Sequence, residues 1–225
     1  MIGTFVNAGA IMVGSFIGGT ARRVMSERLS EALMVAMGCS AVVIGLNSAV
    51  QNMPNSAYPV LFIVSLALGV LAGTLLDIDG RVNRRVSKGA GGGLGEGIIT
   101  ASLIFCVGAL SILGPVQSAL YGDNTFLFTN AMLDFVTSMV FASTYGLGIC
   151  LAAGILLCWQ GGIFGITLLL GDFISGSMMT ELSVVGGVLI AMSGLGILRI
   201  KDCKTLNFLP ALLVPVIWCM VAPLL

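Results

Sequence analysis

The sequence predicts an all-α fold, a polytopic transmembrane helical bundle in which residues 1–225 form a single membrane domain. Hydrophobic residues make up 57% of the chain and charged residues only 9%, and the mean hydropathy is +1.08. Soluble domains carry about a quarter charged residues, so this chain cannot cover a soluble globule with polar surface. Long stretches also lack any Asp, Glu, Lys or Arg: residues 2–21, 32–76, 97–122, 135–171, 182–198 and 205–225. The lipid bilayer is therefore the expected surrounding of most of the chain.

Turn residues divide these stretches into spans. A helix needs roughly 20 apolar residues to cross about 30 Å of hydrocarbon, so the longest stretches must hold two spans, or a span and a re-entrant piece. The cluster from Gln51 to Ser56, which includes Pro54, breaks the stretch 32–76. A weaker break at 145–148 leaves the segment 125–170 as either two spans or a broken, re-entrant pair. We predict about eight spans, at 3–20, 32–50, 58–76, 97–117, 125–145, 147–170, 182–198 and 206–224.

The basic residues give these spans an orientation. All ten lie in three loops, after the first, third and seventh spans: Arg22, Arg23, Arg28, Arg81, Arg84, Arg85, Lys88, Arg199, Lys201 and Lys204. Cytoplasmic loops near span ends collect Lys and Arg, and with eight spans these loops share one side. The opposite loops hold only Asp123, Asp172 and Glu181. We expect a multi-pass protein of the bacterial inner (plasma) membrane with both termini outside the cytoplasm. The first segment lacks a basic n-region and is predicted to be a retained span, not a signal peptide.

Weak internal similarity suggests a duplication. Residues 12–20 resemble residues 67–74, each with a Gly-x-x-x-Gly pattern followed by a basic loop. The second and fourth spans are also similar. We therefore predict duplicated hairpins at 1–50 and 58–120, with 125–225 as the C-terminal part. The alternative is that small residues recur in any packed membrane helix, and such faces are also compatible with a homodimer.

Several common kinds of site are disfavoured. There is no histidine, and the six cysteines show no Cys-x-x-Cys spacing, so we expect buried thiols and neither a metal site nor a cofactor. The glycine-rich run 89–97 lacks the Lys-Ser/Thr pair of a P-loop and is predicted to be a flexible cytoplasmic linker. We expect no nucleic-acid partner.

Asp134 is a charged residue within an otherwise apolar predicted span. It lies near the middle of the segment 125–145, where a carboxylate costs about 2.5–3.5 kcal/mol on insertion scales. Helical spacing places a polar stripe on one face of that segment: Asn130, Asp134, Thr137, Ser138, Phe141 and Tyr145. The alternatives are that Asp134 only bonds neighbouring helices, or that it lies near the membrane interface.

Other polar residues complete the predicted site. Ser143 and Thr144 continue the stripe to a break at Gly146 and Gly148, where exposed carbonyls are expected. In this hypothesis Asp134 binds a cation or proton, and Gln160 orients the substrate. The candidate binding residues are Asp134, Ser138, Ser143, Thr144, Gly146, Gly148, Gln160, Asn7 and Asn207. For the last three, hydrogen bonding between helices is the alternative role.

Ordered motifs along the chain resemble those of a bacterial family. They comprise Gly3-Thr4-x-x-Asn7 with Gly14 and Gly18, the run 96–108 leading to Ile112-Leu113-Gly114, Leu133-Asp134, the run 141–148, and Gln160-Gly161-Gly162. In this order they resemble domain-of-unknown-function family 554, the YdfK/YqgA type of membrane protein. The resemblance implies a multi-span inner-membrane protein of transporter type, without a defined substrate. Where that family often has glycine after the aspartate, this chain has Phe135, which is expected to narrow the space beside Asp134.

We therefore expect a transporter of a small solute or ion, and not an enzyme. A structural or regulatory membrane subunit, with the polar stripe as an assembly surface, is the main alternative. A membrane-embedded lipid enzyme is disfavoured because the sequence has no histidine and no paired carboxylates within its spans.

Overall fold

The computed structural model describes residues 1–20, 26–89, 98, 101–102, 104–106, 108–171 and 176–222. These residues form helices and turns without a strand, so the all-α prediction is confirmed. The α-helices are α1 (Ile2–Thr20), α2 (Glu27–Asn52), α3 (Leu61–Leu75), α4 (Ile78–Gly89), α5 (Ala109–Tyr121), α6 (Thr125–Tyr145), α7 (Leu151–Leu169), α8 (Gly176–Ile197) and α9 (Leu213–Val221). Short 3₁₀ segments cover Met53–Asn55, Leu147–Cys150 and Thr205–Leu212. Residues 90–97 of the predicted linker lie outside the described residues.

The apolar helices coincide with predicted spans. Within the described residues, the helices long and apolar enough to cross a membrane are Ile2–Thr20, Glu31–Asn55, Thr125–Tyr145, Leu147–Leu169 and Gly176–Ile197. Two shorter apolar helices, Leu61–Leu75 and Thr205–Val221, occupy the predicted third and eighth spans. The prediction of a membrane helical bundle is thereby confirmed. Eight remains the predicted number of spans.

The chain divides into two compact units. The first contains Met1–Met37 and Val82–Gly171, and the second contains Gly38–Arg81 and Asp172–Leu225. The duplication of hairpins 1–50 and 58–120 stays a prediction.

In the first unit, α1 is flanked by two helices that run in opposite directions. Helix α6 runs parallel to α1, because Gly3 lies against Leu127 and Gly18 against Met139. Helix α7 runs antiparallel to α1, because the Cys150 thiol donates to the Met12 carbonyl at 3.7 Å and Gly161 lies beside Met1. Helix α5 reverses into α6 through a turn at Gly122, which has a φ of 69°. If consecutive spans cross the membrane in alternating directions, the fifth span runs parallel to the first, and the fourth and sixth run antiparallel to it. The observed directions of α5, α6 and α7 agree with this expectation.

Gly146 makes the reversal between α6 and α7. It is buried and has a φ of 96°, a conformation that side chains strongly disfavour. The chain then follows the length of α1, from Leu147 beside Gly19 to Gly161 beside Met1. The segment after the break is therefore a full helix of this unit, not a short re-entrant loop.

Two glycines let α1 and α6 approach closely. A Cβ atom built on Gly14 would overlap the Phe135 carbonyl and Ser138 Oγ, and one on Gly18 would overlap the Met139 carbonyl. Membrane helices gain little from hydrophobicity and associate largely through such backbone proximity. The Gly-x-x-x-Gly pattern of the first span thus fixes the position of Asp134's helix against α1.

The second unit contains two antiparallel helix pairs. Residues 38–52 of α2 pack on α8, with Gly45 against Gly187. Helix α3 packs on the segment 205–221, with Gly73 against the Asn207 backbone. Tyr58 and Trp218 extend this second pair through an edge-to-face ring contact with centroids 5.8 Å apart.

The basic loop after the third span contains a helix. Residues 78–89 form α4, which starts after Asp77 in a left-handed conformation, φ 48°. The Asp79 N–H at the start of α4 donates to Asn207 Oδ1 at 2.8 Å. This acceptor satisfies one of the free N–H groups of a helix start, and it comes from a residue far away in sequence.

Candidate functional site

Asp134 lies inside the first unit. Its side chain is 5% exposed, and its Oδ2 accepts a hydrogen bond of 2.9 Å from Asn130 Nδ2, one helical turn earlier. Helices α1, α5, α6 and α7 contain no other Asp, Glu, Lys or Arg. A single carboxyl group is therefore held in an otherwise uncharged set of membrane helices. Burial of a carboxylate without a paired charge is costly.

Asn7 brings α1 into contact with this carboxyl group. Its side chain is fully buried and lies beside Asp134 across the interface between α1 and α6. The Asn7 amide is a hydrogen-bonding neighbour of the Asp134 carboxyl group, and its side chain has no other partner among the described residues. The thiol of Cys106 is another neighbour of Asp134. Asn7 Oδ1 is thus left as an acceptor next to the acid.

Further buried polar atoms of the first unit also have free hydrogen-bonding capacity. Within the described part of the chain, the unpartnered atoms besides those of Asn7 are Thr4 Oγ1, Ser15 Oγ and Gln160 Oε1. All lie on α1 or α7, in the same unit as Asp134. Leaving such a group unsatisfied costs about 1–3 kcal/mol. Water or a polar ligand is the usual partner of such groups.

Gln160 forms a second buried polar contact in this unit. Its Nε2 donates to Ser111 Oγ on α5 at 3.0 Å, and both side chains are fully buried. Because Gly161 lies beside Met1, Gln160 is near the start of α1. Asn7 is several residues further on, about 8 Å along the helix. The structure therefore places Gln160 and Asp134 in different layers of the unit.

The hydroxyl groups after Asp134 divide into two groups. Ser138 is buried one turn beyond Asp134, and its Oγ donates to the Phe135 carbonyl at 2.9 Å. Ser143 and Thr144 both donate to the Val140 carbonyl, at 2.7 and 3.4 Å. They lie nine and ten residues beyond Asp134, about 14 Å along the helix. The structure does not bring these two residues to the acid.

The glycine break is also separate from Asp134. The Gly146 N–H donates to the Ala142 carbonyl at 2.9 Å, and the Gly146 carbonyl accepts from Ile149 N–H at 3.3 Å. Gly148 belongs to the 3₁₀ turn that follows. The break reverses the chain, and its hydrogen bonds are local.

Asn207 belongs to the second unit. It is buried at the start of the segment 205–212, and its Oδ1 accepts the Asp79 N–H as described above. The observed contact is that of a helix cap.

Phe135 lines an open apolar groove between α1 and α6. The groove has a volume of about 450 Å³, and its other lining residues include Val6, Gly9 and Met132. Val6 and Met132 are exposed, so the groove faces outward from the unit.

Sequence reasoning missed Glu181. We expected it in a loop, but it lies in α8 and is 1% exposed. Its Oε1 accepts hydrogen bonds from Ser56 Oγ at 2.7 Å and from Tyr58 N–H at 3.1 Å. Glu181 thereby attaches the turn between α2 and α3 to α8. The apolar pair Met178 and Met179 just before it is the only local sign of burial.

Thr4 and Ser15 were also missed as members of the polar face of α1. A signal was present, because residues 4, 7 and 15 fall on one side of a helix with 3.6 residues per turn. Hydroxyl residues are common in packed membrane helices, so this spacing was not distinctive by itself.

Comparison with known proteins places the chain in a family. The model of a family described as "protein of unknown function (DUF554)" matches residues 2–220. The chain belongs to this family. The family inferred from the ordered motifs is thus confirmed over nearly the whole sequence.

Two relatives from this comparison cover almost their full lengths. The chain is 48% identical over 215 residues to "uncharacterized membrane protein YdfK" of Bacillus subtilis (strain 168), with 96% of this chain and 94% of the relative covered. It is 28% identical over 226 residues to "uncharacterized protein YqgA" of Escherichia coli (strain K12), with 95% and 94% covered. No solved structure matches the chain. The apolar helices and the first relative together identify a membrane protein of this family.

Proposed function

We propose that the protein is a transporter of a small solute or ion in the inner membrane of a bacterium, with both termini outside the cytoplasm. One observation carries the proposal. Asp134 is the lone charged residue of α1, α5, α6 and α7, and it is buried beside the amide of Asn7, whose side chain has no other partner among the described residues. A polar site inside membrane helices is by default a candidate for an ion or substrate pathway.

The free polar atoms favour binding over a purely structural role. A carboxylate retained only to join two helices would be expected to have its partners in place, since unmet buried groups destabilise the fold. Here Asp134 has Asn130 and Asn7 as neighbours, but Asn7 Oδ1, Thr4 Oγ1 and Gln160 Oε1 have no partner among the residues that the structure describes. A ligand could satisfy these atoms and be released again.

The inward position also favours transport over the alternative of an assembly subunit. An assembly surface would present its polar groups to another chain, whereas Asp134 and Asn7 are buried within the first unit. In our proposal Asp134 binds the ion, Asn7 and Asn130 orient its carboxyl group, and Gln160 contacts the solute in the adjacent layer. Catalysis is not part of this proposal, because the sequence supplies no histidine to act as a general base.

A thermal-shift screen with solutes and ions tests the proposal on purified protein. A ligand that binds only the folded state raises the apparent melting temperature by mass action. We expect ligands that stabilise the wild type to lose their effect in Asp134→Asn, and to be transported into liposomes that contain the wild type only.

Thr144→Val is the matched control because Thr144 lies on the same helix, is exposed and bonds only to its own helix. This variant should retain binding and transport. Equal ligand stabilisation and equal flux in Asp134→Asn and the wild type would exclude Asp134 from the site. Purification in a stable complex with another protein, without flux, would instead favour the subunit alternative.

A further inference from the structure

We infer that the ion bound at Asp134 is a proton, and that it reaches the carboxyl group through water held at Thr4 on the buried polar face of α1. The inference rests on the proposed function, because it takes Asp134 as the binding residue. It specifies the ion, and it adds Thr4 as a residue that holds the water.

The described side chains around Asp134 offer fewer oxygen atoms than a divalent metal cation takes. Hard cations such as Mg²⁺ and Ca²⁺ take six or more oxygen ligands. Among the described residues, Asp134 Oδ2 accepts an N–H from Asn130, and the neighbouring side-chain oxygen is Asn7 Oδ1. Ser138 Oγ, one turn away, donates to the Phe135 carbonyl and adds one more oxygen. The amide nitrogen of Asn130 also presents a positive dipole to the carboxylate, where a metal would require another oxygen.

A proton matches both the charge and the hydrogen bonds of this site. Helices α1, α5, α6 and α7 contribute no other charged side chain, and the titratable neighbour is the Cys106 thiol. Uptake of one proton from water converts the carboxylate to a neutral carboxyl group, which removes the cost of a buried charge. Release returns that proton to water and restores the carboxylate.

Asn7 can bond to Asp134 in both states. When Asp134 carries the proton, its O–H can donate to Asn7 Oδ1. When Asp134 is ionised, Asn7 Nδ2 can donate to the carboxylate instead. An amide offers an acceptor and a donor on one group, and within the described part of the chain neither group of Asn7 is bonded to a residue other than Asp134. Rotation of one buried side chain therefore exchanges the two arrangements.

The remaining free atoms of α1 mark a route for water. Thr4 and Ser15 are fully buried, and both hydroxyl oxygens are unpartnered among the described residues. Thr4 lies three residues before Asn7, about 4.5 Å along the helix. Buried waters typically bridge such groups. Water held at Thr4 therefore leads from near the start of α1 to Asn7, whereas the fully buried Ile11 separates Asn7 from Ser15 on the same face.

Difference infrared spectroscopy of the purified protein tests the inference directly. The measured signal is the C=O stretching band of a protonated carboxyl group, taken as the spectrum of the wild type minus that of Asp134→Asn. It is recorded over a range of pH values, first in choline chloride and then with NaCl, KCl or MgCl₂ in its place. We expect a band assigned to Asp134 that disappears as pH rises, at the same midpoint in every salt. On transfer to heavy water the band should shift rapidly, and Thr4→Val should slow that shift at least several-fold.

The controls separate the possible failures. Ser143→Ala should leave the rate of the shift unchanged, because Ser143 bonds only to its own helix. If Asp134→Asn does not fold, wild-type protein with ¹³C-labelled aspartate identifies the same band. A midpoint that moves with Na⁺, K⁺ or Mg²⁺, absence of the band at acidic pH, or an unchanged shift rate in Thr4→Val would overturn the inference. A titrating band together with transport that is unaffected by Asp134→Asn would instead refute the proposed function.

Discussion

A methyl group added at Gly18 should separate α1 from α6. A Cβ atom at this position would lie 2.7 Å from the Met139 carbonyl carbon and 2.8 Å from Met139 Cα, and closer still to the carbonyl oxygen. These are backbone atoms, so no side-chain rotation can relieve the overlap. Gly9 on the same helix is the matched control, because its added Cβ would have no atom within 4 Å.

The size of the effect follows from these contacts. Overpacking a well-packed interface typically lowers the free energy of unfolding by about 1–3 kcal/mol. Because the overlapping atoms belong to the backbone, we expect Gly18→Ala to lie near the upper end of this range. At Gly9 the same change should be neutral or should stabilise by up to about 1 kcal/mol, through better helix propensity. For a protein of this size, 1 kcal/mol corresponds to about 2–4 °C in melting temperature. Gly18→Ala should therefore melt roughly 5–10 °C lower than wild type.

Thermal unfolding of both variants in one detergent, followed by circular dichroism, measures this difference. Gly18→Ala should also weaken any ligand effect at Asp134, because α1 supplies Asn7 to that site. Equal melting temperatures for Gly18→Ala and Gly9→Ala would refute the close approach of α1 and α6.

Two predictions concern the second unit. Glu181→Ala leaves the donors of Ser56 and Tyr58 without an acceptor, which should lower the free energy of unfolding by about 1–3 kcal/mol for each donor. The melting temperature of Glu181→Ala should therefore fall well below that of Glu181→Gln, and equal melting temperatures would contradict the observed bonds. Asn207→Ala removes the side-chain acceptor at the start of α4 and should cost about 1 kcal/mol. Hydrogen exchange followed by mass spectrometry should then be faster in peptides covering residues 78–84, and unchanged exchange would show that this cap does not stabilise α4.

The sequence was sufficient to predict the membrane helices because their signal is local. A long stretch without charged residues indicates by itself that it lies in lipid. Turn residues such as Pro54 and Gly146 indicate where one helix ends and the next begins. Asp134 was identified in the same way, since a carboxyl group in an apolar segment is conspicuous without knowledge of its partners. Asn130 followed from helical spacing alone, and its bond to Asp134 was then found in the structure.

Features that depend on distant partners were not predictable in this way. Glu181 looked like a loop residue because its acceptor role requires Ser56 and Tyr58, which are more than a hundred residues away. The helical start of α4 likewise depends on Asn207. Polar periodicity extended the predicted site to Ser143 and Thr144, although a spacing of nine and ten residues already places them about 14 Å from Asp134 along the helix.

The mechanism depends on whether Asp134, the single carboxyl group of α1, α5, α6 and α7, participates in the passage of ions. Luminal pH should be recorded in liposomes that contain the purified protein, after an inward proton gradient is applied in the presence of a solute found by thermal shift. The account predicts luminal acidification with wild type and Thr144→Val, and none above protein-free liposomes with folded Asp134→Asn. Acidification by Asp134→Asn at the wild-type rate would contradict it.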